Sequence, residues 1–113
     1  MPVQPIVYIL ANAYRTIYIG VTGNLEERLW WHRHGKEPSW AKQYGLNRLV
    51  YVEPYPDMNS AIARETQLKK LNRAKKLKLS ELMNPKWLDL SAEWSRGTLP
   101  IPRQARNDGP RKE

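Results

Sequence analysis

Residues 18–32 read Tyr18-Ile19-Gly20-Val21-Thr22-Gly23-Asn24-Leu25-Glu26-Glu27-Arg28-Leu29-Trp30-Trp31-His32. A β-branched and aromatic run ends in a glycine turn, and Asn24 then opens a helix. Glu27, three residues on, completes the capping-box spacing. Leu25, Arg28, Leu29 and His32 recur at helical spacing and so share one face. A strand that passes straight into a capped helix folds the chain back over its own sheet. Tyr18 and the Arg28/His32 pair can then face one pocket. A permanently charged planar fork, an imidazole and a phenol suit a phosphate.

Working outward, Ile6–Ala11 is a second β-branched and aromatic run. The polar segment Asn12-Ala13-Tyr14-Arg15 joins it to Ile17–Val21, which predicts a β-hairpin. After His32 the helix stops by Gly35 and Pro38, and Ser39–Tyr44 reads as a short second helix closed by Gly45. Arg48–Tyr55 predicts a third strand with Pro54 at its end. From about Asn59 a helix carries Met58, Ala61, Ile62, Glu65 and Leu68 on one stripe. Asn72-Arg73 marks a break, and another helix runs to about Met83, where Asn84-Pro85 stops it. Trp87, Leu88 and Leu90 are expected to pack back on the body. The order predicts an α+β domain over residues 1–94, with a small three-stranded antiparallel-type sheet (hairpin plus one later strand) flanked by helices. Residues 95–113 are rich in Gly, Pro and basic groups, and are expected to form a disordered tail.

The chain has 113 residues, enough for one small core, and no cysteine, which excludes disulfides and thiolate metal sites. No basic n-region opens it, and Ile6–Ala11, its longest apolar run, is too short to span a bilayer. A soluble cytoplasmic protein with no membrane partner is expected. The formal net charge of +8 favours polyanions, with nucleic acid first. A solvated basic surface fits the same charge.

Five side chains suit phosphate chemistry. Glu65 lies within an apolar stripe, where a carboxylate must be paired, hydrogen-bonded or bound to a cation. It either serves a ligand or simply pairs with Lys69 at i+4. Arg28 is either a phosphate fork or a surface arginine whose stem covers the core. His32 is either a proton acceptor or a core histidine satisfied by a carbonyl. Tyr8 and Tyr18 sit on the hairpin strands, where packing also explains them. The basic run holding Lys69, Lys70, Arg73, Lys75 and Lys76 reads either as a solvated face or as a surface that tracks phosphates. Trp30, Trp31 and Trp40 can stack on bases, though core packing explains most large aromatics in a chain without Phe. His32 and His34, two apart on a helix, make a poor metal pair.

Taken together these residues resemble the GIY-YIG nuclease superfamily. Within it they resemble the small single-domain bacterial members related to the nuclease module of the excinuclease C subunit, over roughly residues 5–90. Tyr18-Ile19-Gly20 matches the second half of the signature. Ile6-Val7-Tyr8 matches the first half, with Ile6 in place of glycine. Gly20–Leu25 with Arg28 and His32 resembles the family's turn-and-helix motif. Ala61-Ile62-Ala63-Arg64-Glu65 with Lys69 resembles its metal-binding helix, and Asn84 matches its late asparagine. Val21 stands where many relatives carry lysine.

The resemblance implies a metal-dependent endonuclease, with DNA favoured over RNA and DNA repair as its setting. It implies that Tyr8, Tyr18, Arg28 and His32 converge with Glu65 as metal ligand, supported by Gly20, Asn24 and Asn84. One carboxylate points to one Mg²⁺ or Mn²⁺, because two-metal sites need several carboxylates to hold ions about 4 Å apart. The alternative is a nucleic-acid-binding module that keeps the fold with little or no turnover. A protein partner that delivers the domain to its substrate is a further expectation.

Overall fold

The computed structural model describes residues 4–34 and 43–92. Six elements follow in chain order: β1 (Ile6–Ala11), β2 (Ile17–Thr22), α1 (Leu25–His34), β3 (Arg48–Pro54), α2 (Met58–Lys69) and α3 (Arg73–Met83). The sheet order is β2-β1-β3 and both pairings are antiparallel. This is the α+β architecture that the periodicity predicts.

All six residues of β1 are buried, because helices cover both faces of this central strand. On one face Ile6, Tyr8 and Leu10 meet Leu25 and Leu29 of α1, together with Leu46, Leu49 and Val52. On the other, Val7, Ile9, Ala11 and Ile19 meet Ala61 and Leu68 of α2, with Val50, Tyr51 and Trp87. A strand buried on both sides has no polar face to alternate with, hence its unbroken apolar run.

The hairpin corner is built on Asn12. Its side-chain oxygen accepts from the N–H groups of Tyr14 at 2.9 Å and Thr16 at 3.0 Å. Arg15 takes a left-handed φ of 62° there. It pairs with Glu81 at 2.8 Å, stacks over Trp87 at 4.7 Å, and its carbonyl accepts from Arg73 at 2.8 Å. These contacts dock α3 on the corner.

Caps set the helix starts. Asp57 accepts from the N–H of Ser60 at 2.7 Å, and Asn72 from that of Lys75 at 2.8 Å. Asn72 is therefore both the expected break and the start of α3. At the far end of α3, buried Asn84 donates to the carbonyls of Val50 at 3.3 Å and Leu88 at 2.7 Å, and accepts from the Leu88 N–H at 3.0 Å.

Two expectations need correction. Ile62 is 44% exposed, because α2 buries only a narrow stripe, Ala61 and Leu68. Leu88 is also exposed, since its backbone, held by Asn84, makes the contact instead of its side chain. Most of the expected helix at 39–44, Trp40 and the tail 95–113 lie outside the described residues. No helix among the described residues is long and apolar enough to cross a membrane.

Candidate active site

The β1–β2 ladder sets Tyr8 directly opposite Gly20. A Cβ at position 20 would lie 2.6 Å from both Cζ and the hydroxyl oxygen of Tyr8, and 3.0 Å from Cε2 of Tyr18. Only a residue without a side chain lets the two phenols close over that strand. Their ring centroids are 6.3 Å apart.

Helix α1 crosses this face. Asn24 starts it by accepting from the Glu27 N–H at 3.1 Å, and Leu25 and Leu29 bury it against the sheet. The same face delivers His32, whose Nε2 lies 3.1 Å from the Tyr8 hydroxyl. The His32 ring also meets Tyr18 edge-on, with centroids 5.6 Å apart. Its Nδ1 is buried without a hydrogen-bond partner. Thus no second bond fixes the imidazole tautomer. Arg28, one turn earlier, is exposed instead of turned inward, and its guanidinium lies over the Trp31 ring at 5.7 Å.

Electrostatics connect these groups to α2. Burial pushes the Tyr8 phenol well above its ordinary range. Neighbouring Tyr18 pushes the same way, Arg28 opposes, and the Glu65 carboxylate adds a smaller push upward. His32 is lowered from its ordinary 6.5, first by burial and then by the Arg28 charge. Both groups of the Tyr8–His32 pair are therefore held neutral at pH 7. The Tyr8 phenol thus feels groups from β2, α1 and α2 together.

Glu65 is 17% exposed and pairs with Lys69 at 2.9 Å. The expected i+4 partner is present, so the charge of this carboxylate is already matched by a half-exposed ammonium. No group of three or more His, Cys, Asp or Glu that could hold a metal occurs among the described residues. This donor set fits a hard cation that keeps most of its water shell, such as Mg²⁺. It does not fit a dehydrated transition-metal cage.

The remaining expected residues are dispersed. Lys70 caps α2, Arg73 is bonded to the hairpin corner, and Lys75 lies with Arg64 and Lys78 along an open groove of about 450 Å³. Lys76 is half-buried on α3. Asn84 joins the end of α3 to β3 through its bond to the Val50 carbonyl, and its other hydrogen bonds go to the backbone of Leu88.

Sequence reasoning missed one cluster. The Glu53 carboxylate accepts from Tyr51 Oη at 2.7 Å, Tyr55 Oη at 2.8 Å and Arg64 Nε at 2.9 Å. The signal was present: positions 51, 53 and 55 of an extended chain point to the same side.

The sequence and fold are similar to those of known proteins. The GIY-YIG catalytic domain model matches residues 4–78. A UPF0213 protein of Oceanobacillus iheyensis is 37% identical over 81 residues, spanning 72% of this chain and 94% of that protein. Another, from Syntrophus aciditrophicus, is 39% identical over 74 residues, spanning 65% and 85%. The solution NMR structure of a UPF0213 protein from Bacillus halodurans aligns with a TM-score of 0.50 at 30% identity, covering 74% of this chain and 89% of that one.

Proposed function

This chain belongs to the GIY-YIG catalytic domain family, and on that footing we propose that it is an endonuclease hydrolysing nucleic-acid phosphodiester bonds with one divalent cation. The observation that carries the reading is the hydrogen bond between Tyr8 and His32, in a pocket where Tyr8 also senses Tyr18, Arg28 and Glu65. The preference for DNA over RNA rests on the likeness to the excinuclease C module.

Each side chain has a role that its environment supports. Arg28, exposed and permanently charged, meets phosphoryl oxygens as charge develops on them. Tyr18 is half-buried and orients the attacking water. Tyr8 is kept protonated by burial. It therefore acts by passing a proton on as it takes one, and not as a standing phenolate. His32, held neutral, accepts that proton at Nε2, in the tautomer that carries hydrogen on Nδ1. Glu65 would hold Mg²⁺, or Mn²⁺ in its place, and the ion would supply charge neutralisation at the phosphate and leaving oxygen.

One observation favours the second reading, a binding module with little or no turnover. The Glu65 charge is already matched by Lys69.

Incubation with single-stranded, duplex and branched DNA and RNA, with Mg²⁺ or chelator, separates the two. Hydrolysis predicts that chelator stops cleavage and that Glu65→Ala slows it by about 10²-fold or more in a folded protein. Binding that ignores both changes, with no cleavage, overturns the nuclease reading.

A further inference from the structure

We infer that Glu53, acting through Arg64, is a positioning residue that sets the roll of α2 and with it the direction of the Glu65 carboxylate. The inference rests on Glu65 being the cation ligand proposed above.

The Glu53 carboxylate stands on edge strand β3, and both its oxygens are occupied: one by Tyr51, the other by Tyr55 and Arg64. Arg64 is held from its other side as well, since its Nη1 donates to Gln67 Oε1 at 2.6 Å within the same helix. Burial alone would raise the Glu53 carboxyl. Donation from Tyr51, Arg64 and Tyr55 outweighs it and holds the group below its ordinary 4.5. The ion pair thus stays charged through neutral pH. With Tyr51, Tyr55 and Arg64 all donating to it, the Glu53 carboxylate is committed to this network, and its contribution is mechanical.

The mechanical need is specific. Of helix α2 only Ala61 and Leu68 are fully buried, with Met58 partly buried beside them at its first turn. The two fully buried side chains, seven positions apart, lie on nearly one line of the helix, and Met58 adds a contact only at its start. They hold its distance from the sheet and resist rotation about its axis poorly. Arg64 and Glu65 are consecutive, so they leave the helix roughly 100° apart. The strap from Arg64 to β3 therefore fixes the angle at which Glu65 leaves the opposite flank. A roll of about 20° moves a group about 6 Å from the axis by about 2 Å. A misplacement of roughly 1 Å can cost on the order of 10²-fold in rate.

The test uses the full chain and reads cation binding apart from turnover. Mn²⁺ affinity is measured without substrate by electron paramagnetic resonance for wild type, Glu53→Gln, Arg64→Lys, Tyr55→Phe and Glu65→Ala, with circular dichroism as the folding control. The Mg²⁺ concentration giving half-maximal cleavage is measured beside it. Glu53→Gln and Arg64→Lys are expected to weaken Mn²⁺ binding about 10-fold, and to raise the half-maximal Mg²⁺ by a similar factor. Tyr55→Phe, which keeps the ion pair and stays folded if Glu53→Gln does not, moves both readings the same way by less. Wild-type affinity in folded Glu53→Gln and Arg64→Lys overturns the inference while leaving Glu65 as ligand. Equal Mn²⁺ binding by wild type and Glu65→Ala overturns the ligand assignment itself, and the positioning role with it.

Discussion

Gly20 lies across the β-ladder from Tyr8, and its missing side chain is the space that the Tyr8 ring occupies. The residue that carries the glycine of the signature thus acts on the tyrosine of the other strand. It clears the path by which that hydroxyl reaches His32.

Gly20→Ala should therefore be costly. Tyr8 is 1% exposed and has nowhere to retreat from a Cβ at 2.6 Å. Overpacking of this kind costs about 1–3 kcal/mol. Urea unfolding should show that loss. Cleavage by the folded variant should fall further than the loss of stability accounts for, because the Tyr8–His32 bond is displaced.

Protonation of His32 should couple to folding. Its folded pKa lies below 6.5, through burial and the Arg28 charge. Well above 6.5 the ring is neutral in both states and contributes no pH dependence. As pH falls below 6.5 the unfolded chain takes up the proton first, so stability drops until the folded value is passed. Unfolding midpoints measured from pH 8 to pH 5 should fall in wild type and be flatter in this window for His32→Gln. The acid limb of cleavage should likewise lie below 6.5.

Asn84→Ala should be a stability variant with normal chemistry. It strips partners from the carbonyls of Val50 and Leu88 and from the Leu88 N–H. Leaving such groups unsatisfied costs about 2–3 kcal/mol in total. Denaturant unfolding should show the loss, while kcat of the folded fraction stays at the wild-type value.

Lys69→Ala should free the Glu65 carboxylate. The ammonium is half-exposed, so its loss changes stability by less than about 1 kcal/mol. With the competing charge gone, half-maximal cleavage should need less Mg²⁺. An unchanged or higher requirement would mean that Lys69 does not compete for the ligand.

Lys70, Lys75 and Lys76 should act as phosphate contacts. Each Ala substitution is expected to weaken binding to all sequences alike, and to reduce the slope of log K against log salt by about 1. A slope unchanged in the triple variant would assign these lysines to solvent.

Much of this molecule is written in short-range pattern. The hairpin, the glycine turn, the Asn24 cap and the Asn72 break all follow from residues within a few positions of one another. Their outcomes are set by strand period, cap chemistry and turn geometry, which distant parts of the chain barely alter. The misplacement of Ile62 marks where pattern stops being enough. Helical spacing puts it beside Ala61, and only the width of the contact with the sheet leaves it in solvent.

From its own sequence the chain determined which residues form each element, and it carried the phenols, the Arg28/His32 helix and the Glu65 helix as separate pieces. Only the tertiary structure decided that β1 would be central, that Glu65 would reach the electrostatic range of Tyr8, and that Arg64 would be strapped to Glu53. The reason is physical. Backbone period and caps are local energies, whereas a contact between groups dozens of residues apart depends on strand order and on the roll of each helix, which are settled when the whole core packs at once.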